Sequence, residues 1–251
     1  MLEEGKINSE EAARLLEALN SSESRKRHPH PFSFWQSIET IPDMVSSAMH
    51  SAFKDISSFE PVNYAKKEKI ELRLVSGDIN VKGIDTDTIT VQKDGFGQVK
   101  EHDDTLEIKT FSGDVSITLP KHTNLIIKGV SGDLELSDID GTIEIASVSG
   151  DITGKNLSGG IKADIVSGDV DLQYDKTDRI EIHAKTGDIV LRLVRDVAAE
   201  IEVETGEGDI ECEFDLKDKV EKDDYLKGII NKTGGKIYIR NEYGDVAILR
   251  K

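Results

Sequence analysis

From Ile70 to the C-terminus, apolar and polar residues alternate in short runs that recur about every 18 or 19 residues. Nine units start at Ile70, Ile89, Leu106, Leu125, Ile143, Ile161, Ile180, Ile201 and Ile237. Two residues after each start comes another apolar side chain, such as Leu72, Ile108, Ile145 or Ile239, so the first strand of a unit points every other residue inward. Seven residues after the start, eight of the nine units have glycine followed by aspartate. These pairs are Gly77 and Asp78, Gly113 and Asp114, Gly132 and Asp133, Gly150 and Asp151, Gly168 and Asp169, Gly187 and Asp188, Gly208 and Asp209, and Gly244 and Asp245. The unit at Ile89 reaches Gly97 one residue late and has Gln98 after it. A second short strand opens directly after the corner, on Ile79, Val115, Leu134, Ile152, Val170, Ile189, Ile210 or Val246, with Val99 in this place in the shifted unit.

Two short strands, a sharp corner and a polar return make a rung too small to enclose a core, so its apolar side must be buried by stacking on its neighbours. Rungs of constant length favour parallel, in-register pairing. The expected fold is all-β: a single-stranded parallel β-solenoid of about nine rungs, roughly 40 Å long at the usual strand spacing. A right-handed coil follows from the hand of parallel crossovers. A β-propeller needs blades of about 40 residues, and the apolar phase here resets after half that length.

The first 60 residues follow a different period. Asn8 and Ser9 are helix-capping residues, Glu10 and Glu11 fall in the first turn, and Ala12, Leu15, Leu16 and Leu19 form an apolar stripe. A helix of about a dozen residues is marginal alone, so Leu15, Leu16 and Leu19 are expected to dock on a protein partner or a second copy. The reading divides the chain into a partial helical hairpin (1–19), a linker (20–42), an amphipathic helix capping the first rung (43–60), and the repeat domain (61–251) with an insertion at 215–235. The capping helix would present Val45, Ala48, Met49, Ala52, Phe53 and Ile56 on one face. A membrane-surface role for it is disfavoured, because Asp43 and Asp55 stand against Lys54 and no basic polar face is present.

Charge narrows the function classes. The net charge is −17, and residues 61–251 hold 39 acidic against 26 basic side chains. Such a surface repels nucleic acid and anionic lipid and attracts cationic ligands, peptides among them. No run is long and apolar enough to span a membrane, and the charged opening lacks the apolar region of a signal peptide, so the expected compartment is the cytoplasm. The single cysteine, Cys212, falls at an inward strand position and reads as a core residue.

The opening MLEEGKINSEEAARLLEAL, placed ahead of tandem V-S-G-D-I-type units, resembles bacterial envelope-stress proteins of the LiaX/YvlB type. That family joins a small N-terminal helical hairpin to a β-strand-repeat domain labelled putative adhesin, and the resemblance covers nearly the whole chain. It implies a non-enzymatic role in the cell-envelope stress response, with surface or membrane-associated partners and peripheral membrane attachment. It supplies no catalytic residue. The family's hairpin has a longer first helix before the E-E-G-K turn, so a partial hairpin is expected from this sequence.

The aspartate column is the foremost candidate for chemistry. Carboxylates on successive rungs would lie about 5 Å apart and repel unless hydrogen-bonded or neutralised. Calcium wants six to eight oxygens, more than one aspartate per rung supplies, so the column is expected to be structural, with glycine permitting positive φ and aspartate tying down corner amides. No cofactor, metal site or catalytic constellation is expected: His102, His122 and His183 fall in separate units. The expected function is a binding or scaffolding protein, with a carbohydrate-active or carbohydrate-binding rod as the alternative.

Overall fold

The structure, a computed structural model, describes residues 60–251. The described residues belong to one compact unit. The expected hairpin at 1–19 with Leu15, Leu16 and Leu19, the linker, and all but the last residue of the helix at 43–60 lie outside the described residues.

The described residues contain no helix. In chain order the strands are β1 (Val62–Ala65), β2 (Lys69–Ser76), β3 (Ile79–Ile84), β4 (Thr88–Lys93), β5 (Phe96–Glu101), β6 (Thr105–Ser112), β7 (Val115–Pro120), β8 (Asn124–Ser131), β9 (Leu134–Ser137), β10 (Ile143–Ser149), β11 (Ile152–Ser167), β12 (Val170–Thr186), β13 (Ile189–Leu193), β14 (Ala199–Glu207), β15 (Ile210–Cys212), β16 (Leu216–Lys222), β17 (Tyr225–Ile230), β18 (Gly235–Tyr243) and β19 (Val246–Arg250). All belong to one 19-stranded sheet, which curls into a half-barrel. The inward side chains on both sides of the Gly-Asp corners meet in a single core, including Ile70, Leu72, Val81, Ile145, Leu172, Ile182 and Ile248.

The all-β class agrees with the sequence; a purely parallel solenoid of nine successive rungs does not. Eight units pair in parallel and in register, and their order in space is not their order in the chain. β2 lies between β6 and β8, so the unit at Ile70 sits inside the unit at Leu106. At the other end β18 lies between β12 and β14, so the last unit of the chain is inserted before the unit at Ile201. The second strands repeat this order, with β3 between β7 and β9 and β19 between β13 and β15.

The unit at Ile89 is not a parallel rung. β4 runs antiparallel to β7 and β5 antiparallel to β6, so this stretch retraces the rung of Leu106 in reverse, turning at Asp94 and Gly95. Period-two burial is the same read in either direction, which is why Ile89 and Val91 are buried as their spacing requires although the strand is reversed. The insertion at 215–235 is a hairpin, with β17 antiparallel to β14 and β16 antiparallel to β17. Glu202 on β14 accepts from Lys227 Nζ and from Tyr225 Oη, both at 3.0 Å. The Lys227 hydrogen bond, aided by that from Tyr225, holds the Glu202 carboxyl below its ordinary range. The outermost strand β16 carries Lys217, Lys219 and Lys222, charges that discourage edge-to-edge pairing.

Ile237, Ile239, Val246 and Ile248 are all buried. At about 2 kcal/mol each their removal costs roughly 8 kcal/mol, comparable with the whole stability of a domain. Ending the chain at Gly235 should therefore abolish the cooperative thermal transition seen by circular dichroism. Retention of a transition only slightly lowered would mean that the unit behaves as a detachable terminal repeat.

Candidate functional site

The corners are built by glycine. All eight corner glycines have φ between 101° and 150°, a region closed to most side chains. Space closes them as well: a Cβ on Gly150 would lie 2.0 Å from the carbonyl oxygen of Gly132 on the neighbouring rung. The chain turns there with backbone against backbone, and the following aspartate faces solvent.

Those aspartates form a hydrogen-bonded ladder. The Asp78 amide donates to Asp114 Oδ1, and the amides of Asp133, Asp151, Asp169, Asp188, Asp245 and Asp209 each donate to Oδ1 of the preceding aspartate in that order, at 2.8–3.0 Å. The order follows space rather than sequence. Asp133 donates to Asp78, 55 residues away, and Asp245 to Asp188, 57 residues away. An amide in each gap offsets the repulsion between stacked carboxylates. Corner backbone bonds run alongside, such as Ile152 N to Asp169 O at 2.8 Å.

One flank of the ladder is a groove. A shallow cavity of about 500 Å³ crosses four rungs and is lined by Asp114, Asp78, Asp133 and Asp151 together with Ser116, Asn80, Glu135, Thr153 and Lys155. Asn80 Nδ2 donates to Glu135 Oε2 at 2.9 Å, and Lys155 Nζ lies 3.6 Å from Glu135 Oε1. Five carboxylates against a single lysine give the groove an anionic lining with small hydroxyl and amide groups between, suited to a hydrogen-bonding cation. A second cavity, of about 470 Å³ near the β16–β17 turn, mixes Glu204, Asp224 and Glu242 with Arg240 and Lys222 and has no dominant charge.

The structure thus gathers all sixteen corner residues into one column, while Leu15, Leu16 and Leu19 lie outside the described residues. Among the described residues no group of three or more His, Cys, Asp or Glu side chains is placed to hold a metal ion. Two clusters escaped the sequence reading. Asp164, 5% exposed, lies 3.0 Å from His183 Nδ1, and the imidazole stands edge-on to Tyr238. Asp164 and His183 each fall three residues after a unit start; aligning units by outward positions would have paired them. The same alignment exposes a column five residues after the starts, Phe111, Val75, Val130, Val148 and Val166, which is apolar on the outward phase of the strands.

The corner geometry separates two substitutions. Gly150→Val should cost on the order of 4 kcal/mol, because a β-branched residue at this φ must also displace Gly132. Asp151→Asn should cost less than about 1 kcal/mol, because an amide oxygen still accepts from Asp169. Urea denaturation of both variants checks this, and equal midpoints would contradict the corner account.

A putative cell adhesion protein from Clostridium sporogenes is 17% identical, with a TM-score of 0.43, over 76% of this chain and 99% of that one. A putative adhesin from Bacteroides fragilis is 14% identical, with a TM-score of 0.35, over 78% and 100%. A putative lipid binding protein from Parabacteroides distasonis is 12% identical, with a TM-score of 0.22, over 76% and 93%. None of the curated proteins compared matches the chain. Residues 1–24 match a SHOCT-like domain. Residues 57–249 match the Toastrack DUF4097 model, and the chain belongs to that family.

Proposed function

We propose that the chain is a non-enzymatic binding protein that holds cationic ligands, peptides above all, in the groove beside its aspartate ladder. The observation that carries this reading is the ladder itself. Seven of the eight carboxylates accept at Oδ1 from a neighbouring amide, so negative charge is fixed along a column of eight corners at solvent-exposed positions. A flexible cation meets a preorganised row and loses little by ordering the site. The resemblance to envelope-stress proteins supports a role in that response in a bacterium. On this reading the segment with Leu15, Leu16 and Leu19 supplies docking to a protein partner. The cytoplasmic placement expected from the sequence finds no support in the comparisons, and the names of similar structures favour the cell surface. Among the described residues no helix is long and apolar enough to cross a membrane. The Ser116, Asn80 and Thr153 groups in the groove favour a second reading, a carbohydrate ligand held by hydrogen bonds.

Calorimetric titration of the full chain with a lysine-rich peptide and with neutral oligosaccharides separates the readings. The peptide should bind, and its affinity should fall at least tenfold between about 0.05 and 0.5 M salt, as the Debye length shortens from above 10 Å to below 5 Å. Replacing Asp78, Asp114, Asp133 and Asp151 together by Asn keeps an acceptor at every step of the ladder and removes the charge. That variant should fold and lose at least tenfold in peptide affinity. Unchanged peptide binding by the folded variant would defeat the reading, and salt-independent binding of an oligosaccharide would favour the second.

A further inference from the structure

We propose that the outward apolar column of Phe111, Val75, Val130, Val148 and Val166 is an interface between two copies of this chain, packed face to face about a two-fold axis parallel to the column. Its charged margin uses Asp78, Asp114 and Asp133, which also line the acidic groove, so a dimer and a cationic ligand compete for the same carboxylates, and the dimer is tested on the chain without added ligand.

The column is continuous in space although scattered in sequence. β6, β2, β8, β10 and β11 are adjacent in that order and share one register, with Ser112, Ser76, Ser131, Ser149 and Ser167 aligned one residue further on. The preceding residues are therefore neighbours at the usual strand spacing of about 4.8 Å. They belong to the outward phase: in β2 the buried residues are Ile70, Leu72 and Leu74, while Glu71, Arg73 and Val75 alternate with them. On the next rungs the column changes to Lys185, Glu242 and Gly206, so strand formation does not itself require valine there. Isolated outward apolar residues are ordinary; an unbroken run over five rungs is a patch.

The charges beside the column choose the occupant. Two residues before it, about 7 Å along the strands, stand Lys109, Arg73 and Lys128 on the first three rungs. Three residues after it, at the corners, stand Asp114, Asp78 and Asp133 of the same rungs. On these three rungs the column has bases on one side and acids on the other and is complementary to itself; Ala146 and Asp164 stand in the place of the bases on the fourth and fifth rungs. Rotation by 180° about an axis along the column keeps each rung at its height and exchanges left for right. Arg73 then faces the partner's Asp78, Lys109 the partner's Asp114 and Lys128 the partner's Asp133, each pair occurring twice. Apolar side chains meet in the middle, in the manner of two aligned sheets about 10 Å apart. A two-fold axis across the column would instead set bases against bases. Within one copy Lys109 Nζ is 2.8 Å from Glu107 and Arg73 Nε 3.0 Å from Glu71, so these cations are held on the rim, at the sides of the column.

Sedimentation velocity of the full chain over about 1–200 μM tests the proposal. The expected result is a reversible dimer. Val148→Glu should raise its dissociation constant at least tenfold while leaving the thermal midpoint nearly unchanged, as fits a substitution on the outward face. Lys128→Asp should weaken the dimer by setting two acids face to face, and adding Asp133→Asn should restore part of the loss, since Asn keeps the ladder acceptor and removes the facing charge. A chain that stays monomeric at 200 μM overturns the proposal. So does a dimer that survives Val148→Glu and is lost with Leu15→Glu, which would place association in the N-terminal segment. Monomeric protein that binds neutral phosphatidylcholine vesicles through Val148 would assign the column to lipid and equally overturn it.

Discussion

The sheet depends on a corner where no side chain fits. At seven of the eight turns the carbonyl oxygen of the glycine on a neighbouring rung occupies the place of a Cβ, as that of Gly132 does at Gly150; at Gly113 the carbonyl oxygen of Asp94 takes that place, and φ is positive along the whole stack. With the backbones in contact, the following residue stands where it can reach one rung along. Aspartate has an oxygen at the right length to accept the next amide, so one dipeptide both turns the chain and ties it to its neighbour. Repetition of that tie fixes register, and register in turn fixes which side chains enter the core and which form columns outside.

Register explains how the ends are made. An exposed sheet edge invites pairing with other chains. At one end the chain retraces its own rung through β4 and β5, and at the other it folds the β16–β17 hairpin against β14. The first and last parallel units are enclosed between others, so the sheet is held together by contacts far apart in sequence. Nearest-neighbour repeat arrays lack this property, and it predicts unfolding as one unit.

The legible part of the fold was the part that period and residue type encode. Inward positions such as Leu72, Ile145 and Ile182 and the corner pairs followed from spacing alone. Direction and order did not, because alternation reads the same forwards and backwards and the inward residues of the units are interchangeable Ile, Leu and Val. Ile89 and Val91 looked like one more rung for that reason, and Ile237 looked like the last. Within the site, the aspartate column was visible, but its chemistry was not: hydrogen bonds such as Asp245 to Asp188 depend on which rung lies next in space. Asp164 with His183, and the valines outside the sheet, lie on the outward phase, where strand alternation prescribes no residue type.

The carboxylates therefore carry two roles that differ in what they require of each oxygen. Oδ1 is engaged within the sheet, while the charge as a whole faces solvent, and the two can be separated by exchanging Asp for Asn. The central claim is that the ladder locks adjacent rungs at their solvent-exposed corners, and amide hydrogen exchange followed by NMR tests it directly. The Asp133, Asp151, Asp169 and Asp188 amides should exchange nearly as slowly as those of the buried strand residues beside them, despite exposed side chains. Exchange of these amides at the rate of an unstructured loop would contradict it.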